Sequence, residues 1–103
     1  MIARVWSAQT TPAQRAAYAE HLRTDVLPTL QAVDGFKGAM LLERSIPDAV
    51  EIMVLTLWRS VDAIRGFAGN NLEEAVVTEE AADLLTQFDR QVRHFEVVVK
   101  RDL

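Results

Sequence analysis

The sequence predicts an α+β domain of the split βαβ, or ferredoxin-like, class: a four-stranded antiparallel sheet with its helices on one face. Two observations support this class. The chain reads in order as strand, helix, strand, strand, helix, strand, which is the split βαβ order. The stretch 51–60 is apolar at most positions and runs directly into a helix-capping serine. Such a stretch is typical of a strand that is buried on both faces.

The first half of the chain predicts one strand and one long helical segment. Residues 2–8 alternate loosely between two faces and predict the first strand. Thr11 and Pro12 form a helix start, since threonine can cap and proline suits the first helical position. Pro28 predicts a kink or break because it lacks an amide donor, and Gly35 is a natural C-terminal cap. The helix carries an apolar stripe with spacings of three or four residues: Tyr18, Leu22, Val26, Leu30 and Val33.

The second half predicts three strands and two further helices. Residues 37–44 and 50–58 read as the second and third strands, and residues 91–100 as the last. Ser60 is expected to cap the second helix, and Thr78 to cap a short third helix. The apolar side of the second helix is expected to contain Val61, Ile64, Phe67 and Ala68.

The third strand predicts a homodimer that forms through the open face of the sheet. One face of the strand contains Ile52, Val54 and Trp58, and the other contains Met53, Leu55 and Leu57. The helices of this short chain can cover only one of these faces. Burial of apolar surface contributes about 25 cal/mol per Å², so a face of several hundred Å² contributes on the order of 10 kcal/mol before association costs. A second copy of the chain is therefore the expected cover.

Composition excludes several classes of protein. The chain has 103 residues, which predicts a single domain spanning residues 1–103. Its net charge of −4 argues against nucleic-acid binding, which needs a basic face. The absence of cysteine excludes disulfides and thiolate chemistry. No apolar run approaches the roughly 20 residues of a membrane span, and no signal peptide is evident. A cytoplasmic protein with no membrane partner is expected.

Segments in all parts of the chain resemble the antibiotic biosynthesis monooxygenase family. The resemblance lies in residues 2–6, 55–60, 63–69 and 92–97, and the middle pair of segments, Leu-Thr-Leu-Trp-Arg-Ser and Ala-Ile-Arg-Gly-Phe-Ala-Gly, carries most of it. The resemblance implies a dimeric α+β barrel. It also implies oxidation of phenolic polyketides or quinols by molecular oxygen, with neither a metal nor a flavin.

One branch of the same superfamily degrades haem, and the sequence does not favour that activity here. The branch uses an asparagine on the first strand, a tryptophan on the second helix and a histidine further along. When the chain is aligned on Trp58, the matching residues are Ser7, Phe67 and Val77. None of the three supplies the expected group.

The two histidines are the candidate bases near neutral pH. His94 lies on the last strand and is expected to point into an enclosed space, where it could take a phenolic or enolic proton. The alternative is a core histidine that is satisfied by a neighbouring polar group. His21 lies one turn from Asp25 at the edge of the helical stripe, and a surface position is expected for it. Two histidines so far apart predict no metal site, and no cofactor is expected.

The candidate substrate-binding residues are one cation and four aromatic side chains. A flat aromatic ligand could lie between aromatic walls, with the cation binding its oxygen. The alternative for the aromatic residues is an ordinary core position. The alternative for the arginine is a structural ion pair with Glu43 or Glu96. The candidates are Arg4, Trp6, Trp58, Phe67 and Tyr18.

Three functions remain open from the sequence. The first is a cofactor-independent monooxygenase that acts on a small aromatic, phenolic or quinol-like substrate, with His94 as the base. The second is a non-catalytic dimeric module that binds a small hydrophobic metabolite. The third is an isomerase or cyclase that uses the same base without oxygen. A polar group that converges on the pocket would favour catalysis over simple binding.

Overall fold

The computed structural model describes residues 1–102 and confirms the predicted α+β class, with an antiparallel sheet that has helices on one side. Leu103, the last residue of the predicted domain, lies outside the described residues. The strands are β1 (Ile2–Thr10), β2 (Phe36–Ile46), β3 (Ala49–Trp58), β4 (Gln87–Phe88) and β5 (Arg93–Glu96). The helices are α1 (Arg15–His21), a π-helical turn (Leu22–Val26), α2 (Leu27–Gln31), α3 (Val61–Ala68) and α4 (Glu79–Asp83).

The sheet has the order β2-β3-β1-β4, and β5 pairs with the same edge of β1 as β4 does. All of these pairings are antiparallel. β1 is therefore the central strand through which the two ends of the chain meet. The register places Arg4 opposite both Thr56 on β3 and His94 on β5. Because paired residues share a face, these three side chains lie together on the helix side.

The last strand is shorter than the predicted range 91–100, and it is preceded by a short strand that the sequence pattern does not predict. β4 pairs with residues 8–9 of β1, and β5 pairs with residues 2–5. Between them the backbone bonds elsewhere: Val92 N–H donates to the Glu73 carbonyl at 2.8 Å. Beyond β5, pairing ends because β1 itself begins at Ile2.

The long helical segment continues past Pro28 by widening one turn. The turn before the proline is π-helical, and Leu27 N–H donates to the Leu22 carbonyl five residues earlier. Pro28 then occupies the first turn of α2, where its missing amide donor costs little. The predicted kink or break is therefore a change of hydrogen-bond spacing within one segment.

The caps predicted at Ser60 and Thr78 are present, but those predicted at the ends of the long helical segment are wrong. The segment begins at Arg15 with Gln14 as its N-cap and ends at Gln31 with Ala32 as its C-cap, so neither Thr11 nor Gly35 is the capping residue. Ser60 Oγ accepts from Ala63 N–H at 3.2 Å, and Thr78 Oγ1 accepts from Ala81 N–H at 3.1 Å. Within α3, Ile64 is fully buried. Val61, three residues before Ile64 and so on the same side of the helix, is 40% exposed.

β3 has two faces that differ in burial as the sequence predicts. Ile52 and Trp58 face the helices and are at most 1% exposed. On the other side no helix of the described chain covers the sheet. We call this surface the open face; Met40 and Phe95 are each about half exposed there. The open face comprises Val5, Met40, Leu42, Met53, Leu55, Leu57 and Phe95.

The core on the helix side consists of two clusters. The first is built around Tyr18, Val50 and Ile52, and the second around Leu30, Trp58 and Ile64. None of the described helices is both long and apolar enough to pass through a bilayer. The two clusters leave a space between them, which contains most of the candidate binding residues.

Candidate functional site

A cavity of about 80 Å³ lies between the sheet and the helices, and its lining includes members of both core clusters. Strands β1 and β3 form its floor, α1 to α2 form one wall, and the segment 75–78 with Ala81 forms another. Aliphatic side chains supply most of the remaining lining. The polar and aromatic side chains that line it are Arg4, Trp6, Tyr18, His21, Thr56, Phe67 and Thr78.

Arg4 is the charged group of the cavity, and its side chain is almost fully buried. Its guanidinium donates to the Leu72 carbonyl at 2.5 Å and to the Glu74 carbonyl at 2.9 Å. The expected ion pair with Glu43 or Glu96 is wrong: no carboxylate of the described residues lies within ion-pair distance of Arg4, and Glu43 binds Arg15 at 2.7 Å. Burial lowers the pKa of Arg4, yet a guanidinium stays charged at neutral pH. The cavity therefore contains a buried cation that has no counter-ion among residues 1–102.

His94 lies behind Arg4 and is not part of the cavity lining. Its Nε2 lies 3.0 Å from Arg4 Nη1, and since arginine has only donors, the histidine nitrogen accepts. Burial first and the neighbouring Arg4 cation second lower the pKa of His94, which keeps the ring neutral. The lone pair that a base needs is therefore occupied. A catalytic role for His94 stays a prediction that this geometry does not favour.

His21 lines the cavity, so its expected surface position is wrong. The residue is only 8% exposed. Its Nδ1 lies 3.0 Å from Asp25 Oδ2, and its Nε2 is buried without a hydrogen-bond partner among the described residues. The sequence contained a signal for this burial. His21 lies three residues after Tyr18, a helical spacing that places both side chains on the same face of the helix.

Four of the five predicted binding residues meet at the cavity: Arg4, Trp6, Tyr18 and Phe67. Trp6 is held in place because its indole N–H donates to the Asp89 carbonyl at 2.7 Å, and its ring lies 6.5 Å from that of Tyr18. Trp58 is not in the lining. It is fully buried, bonds Thr56 Oγ1 at 2.8 Å and stacks behind Phe67 at 6.1 Å. It therefore supports a cavity wall from inside the core.

His21 also belongs to a group of three side chains whose potential metal-ligating atoms lie within 4.8 Å of one another; the others are Asp25 and Glu80. Both carboxylates are largely exposed, and Glu80 Oε2 lies 3.8 Å from His21 Nδ1. The direct hydrogen bond between His21 and Asp25 accounts for the proximity of two members without an ion. The geometry thus describes a histidine oriented by a carboxylate at least as well as a cation site.

Tyr18 gives a pH-dependent stability that can be measured. Burial raises the pKa of its phenol to about 12, from an ordinary value of 10.0. Since the unfolded chain then loses this proton more easily, the contribution is fully present below pH 10 and is lost as the pH rises toward 12. We expect the free energy of unfolding to fall by roughly 2–3 kcal/mol across this window. In Tyr18→Phe this fall should be absent from urea unfolding curves; an identical alkaline fall in the variant would contradict the assignment.

The fold and the cavity define an α+β domain with a small aromatic-walled binding site on the helix side of its sheet. A model of the antibiotic biosynthesis monooxygenase family matches residues 1–78. The chain belongs to this family. No curated protein matches the chain significantly in sequence.

Solved structures of the same fold come from several bacteria. A candidate antibiotic biosynthesis monooxygenase from Bacillus cereus is 14% identical, with 99% of this chain and 97% of that chain covered and a TM-score of 0.68. The haem degrader MhuD of Mycobacterium tuberculosis, with two haems bound, is 20% identical over 99% and 100%, with a TM-score of 0.62. The monooxygenase from the gene ActVA-Orf6 of Streptomyces coelicolor, in complex with nanaomycin D, is 17% identical over 99% and 89%, with a TM-score of 0.61. At these identities the likeness extends to the fold alone.

Proposed function

We propose that this protein is a cofactor-independent monooxygenase that oxidises a small phenolic or quinol-like ring in the helix-side cavity. The observation that carries the proposal is the buried Arg4 cation, which faces a cavity walled by the rings of Trp6, Tyr18 and Phe67. Family membership supports the same class of reaction. The cavity is smaller than the roughly 300–1,000 Å³ of drug-sized sites, which favours a compact substrate.

Each part of the site has a use in this chemistry. The aromatic walls would hold a flat ring by stacking and edge contacts. Arg4 would stabilise the negative oxygen that forms when the substrate loses its proton. The hydroxyl of Tyr18 stays protonated, because burial raises the pKa of Tyr18, and so it can donate to the same oxygen. A deprotonated phenol is a far better electron donor, and it would react with oxygen to give a quinone and one molecule of water.

Two alternatives use the same cavity. A non-catalytic module for small hydrophobic metabolites would need only the apolar lining. The convergence of Arg4 and His21 on the cavity favours catalysis over this alternative. An isomerase or cyclase would need a base but no oxygen, and oxygen consumption separates it from the monooxygenase.

The proposal extends to the assembly. We propose a homodimer that forms through the open face, because half-exposed apolar side chains such as Met40 and Phe95 lie there in the single chain. The cytoplasmic location, the lack of nucleic-acid and membrane partners, and the assignment of residues 1–103 to one domain stay predictions from the sequence.

Oxygen uptake with a panel of single-ring phenols and quinols tests the proposed function. We expect uptake and product to appear in a one-to-one ratio, above the autoxidation seen with heat-denatured protein, and to persist in the presence of a chelator. Phe67→Leu should raise KM several-fold, because one cavity wall is lost. Phe36→Leu is the matched control: both rings pack on Trp58, but Phe36 does not line the cavity. Binding without uptake would indicate the module, and product formation without uptake would indicate the isomerase or cyclase.

A further inference from the structure

His21 has a position in the cavity that the reaction described above leaves without a role. Its ring is almost fully buried, and Nε2 has no hydrogen-bond partner among the described residues. A buried ring nitrogen without a partner is uncommon, because a lost hydrogen bond to water has to be replaced. We propose that His21, positioned by Asp25, is the base that removes the substrate proton. The inference rests on the proposed function and names the residue that performs its first step.

The hydrogen bond to Asp25 determines which nitrogen is available. Asp25 Oδ2 lies 3.0 Å from His21 Nδ1, and a carboxylate can only accept, so the proton lies on Nδ1. The neutral ring then has its lone pair on Nε2, the atom without a partner. Asp25 lies one helical turn after His21, within the π-helical turn Leu22–Val26. The carboxylate therefore orients the ring and stabilises the imidazolium that forms.

Other titratable groups around the ring fit the same assignment. Glu80 on α4 lies 3.8 Å from Nδ1 on the same side as Asp25, so it adds a second negative charge behind the ring. Tyr18 lies on the preceding turn, with ring centroids 6.3 Å apart. Arg4 lines the cavity together with His21. The carboxylates thus lie at Nδ1, and the groups that suit a phenolate oxygen lie around the cavity.

His94 is the other candidate base, and its ring has neither a free Nε2 nor a place in the cavity lining. Its Nε2 accepts from Arg4 at 3.0 Å, and the ring lies outside the cavity lining. To act, it would have to give up this hydrogen bond and reach past the guanidinium. His21 Nε2 has no such hydrogen bond to give up, and its ring lines the cavity. Of the two histidines in the chain, His21 alone combines a cavity position with a free lone pair.

The step balances with oxygen as the only co-reactant. The phenolic O–H bond breaks and its proton goes to Nε2, giving an imidazolium beside Asp25 and a phenolate beside Arg4. The phenolate transfers electrons to molecular oxygen, and one oxygen atom forms a bond to the ring. The O–O bond then breaks together with a ring C–H bond. The C–H proton and the proton of the imidazolium both go to the departing oxygen atom, which leaves as water. The ring is oxidised to a quinone and the oxygen molecule is reduced.

The first test is turnover of the best phenol from the panel. We expect His21→Gln to lower kcat by about 10²–10⁴-fold, the usual share of a general base, with a smaller change in KM. Asp25→Asn should lower kcat less than His21→Gln does, because the imidazolium loses its stabilising carboxylate. Asp25→Glu should restore part of the rate. Glu20→Gln is the matched control, since this exposed carboxylate adjoins His21 in sequence but pairs with Arg23.

The second test needs no turnover. Para-nitrophenol shows its ionisation by colour, so it reports directly whether the cavity removes a phenolic proton. We expect the wild-type protein to bind it as the yellow anion at a pH where the free compound is neutral. His21→Gln should bind it in the neutral form, and circular dichroism confirms that the variant is folded. If His21→Gln fails to fold, Asp25→Asn takes its place in this test. Asp25 is largely exposed, so its replacement should leave the fold intact.

The outcomes separate the inference from the proposed function. Full turnover in folded His21→Gln, or loss of turnover only in His94→Gln, would overturn the assignment of the base. An unchanged kcat in Asp25→Asn, or no recovery of rate in Asp25→Glu, would overturn the positioning role. If wild-type protein ionises para-nitrophenol through His21 but consumes no oxygen, the base assignment stands and the monooxygenase proposal fails. Colourless binding by the wild-type protein would overturn the inference.

Discussion

Replacement of Trp58 by alanine is expected to lower the free energy of unfolding by about 3–5 kcal/mol, the range for deletion of a large buried aromatic side chain. Trp58 is fully buried at the end of β3. It makes an edge contact with Phe36 at 5.4 Å and stacks on Phe67 at 6.1 Å. The variant would leave a cavity beneath both rings and remove the hydrogen bond to Thr56. Urea unfolding, followed by circular dichroism, measures the loss.

The control for this prediction is Trp58→Phe, which keeps most of the aromatic volume and should lose less than half as much. Phe67 lines the ligand cavity and rests on Trp58, so the alanine variant should also bind phenols more weakly. A stability loss of less than about 1 kcal/mol in Trp58→Ala would show that this core relaxes around the missing ring. The role of Trp58 as the support of the cavity wall would then be untenable.

Replacement of Leu55 by aspartate is expected to convert the proposed homodimer into a monomer at micromolar concentration. The register places Leu55 in the middle of the open face, opposite Val5 on one side and Met40 on the other. A carboxylate buried there without a partner would have to lose its hydration, which costs several kcal/mol and raises the dissociation constant by at least about 100-fold. The folded chain itself should persist, because this face lies outside the helix-side core.

Light scattering after gel filtration measures the outcome against the chain mass of 11.6 kDa. Val61→Asp is the matched control, because it places the same charge on an exposed apolar residue at the first turn of α3. An aspartate there should leave the mass unchanged and suits a helix N-terminus. If wild-type protein gives the mass of one chain at micromolar concentration, the proposal of a homodimer through the open face fails.

The sequence predicted the features that depend on nearby residues. The caps at Ser60 and Thr78 follow from hydroxyls three residues before a free amide, and both hydrogen bonds are present. The two faces of β3 follow from the twofold periodicity of a strand. The stripe that includes Tyr18 and Leu30 follows from helical spacing, and both residues are buried. The α+β class with helices on one side of an antiparallel sheet then followed from the order of elements along the chain.

The sequence pattern did not predict the features that depend on contacts between residues far apart in the chain. The range 91–100 alternates throughout, but a strand exists only where β1 supplies a partner, and β1 begins at Ile2. Arg4 was expected to pair with a glutamate, yet backbone carbonyls of Leu72 and Glu74 satisfy it. Those carbonyls come from a segment some 70 residues away, and no local rule places them there.

By itself the sequence determined the fold class, the two-faced sheet and four of the residues that meet in the cavity, because periodicity assigns side chains to faces. Tertiary structure alone decided which groups surround the two histidines. His94 shares a face with Arg4 through the β1–β5 register, and this pairing occupies its lone pair. His21 is enclosed by the packing of α1 against the sheet, and Asp25 leaves its Nε2 free. Whether a ring nitrogen can act as a base depends on which groups surround it, and only the folded chain brings those groups together.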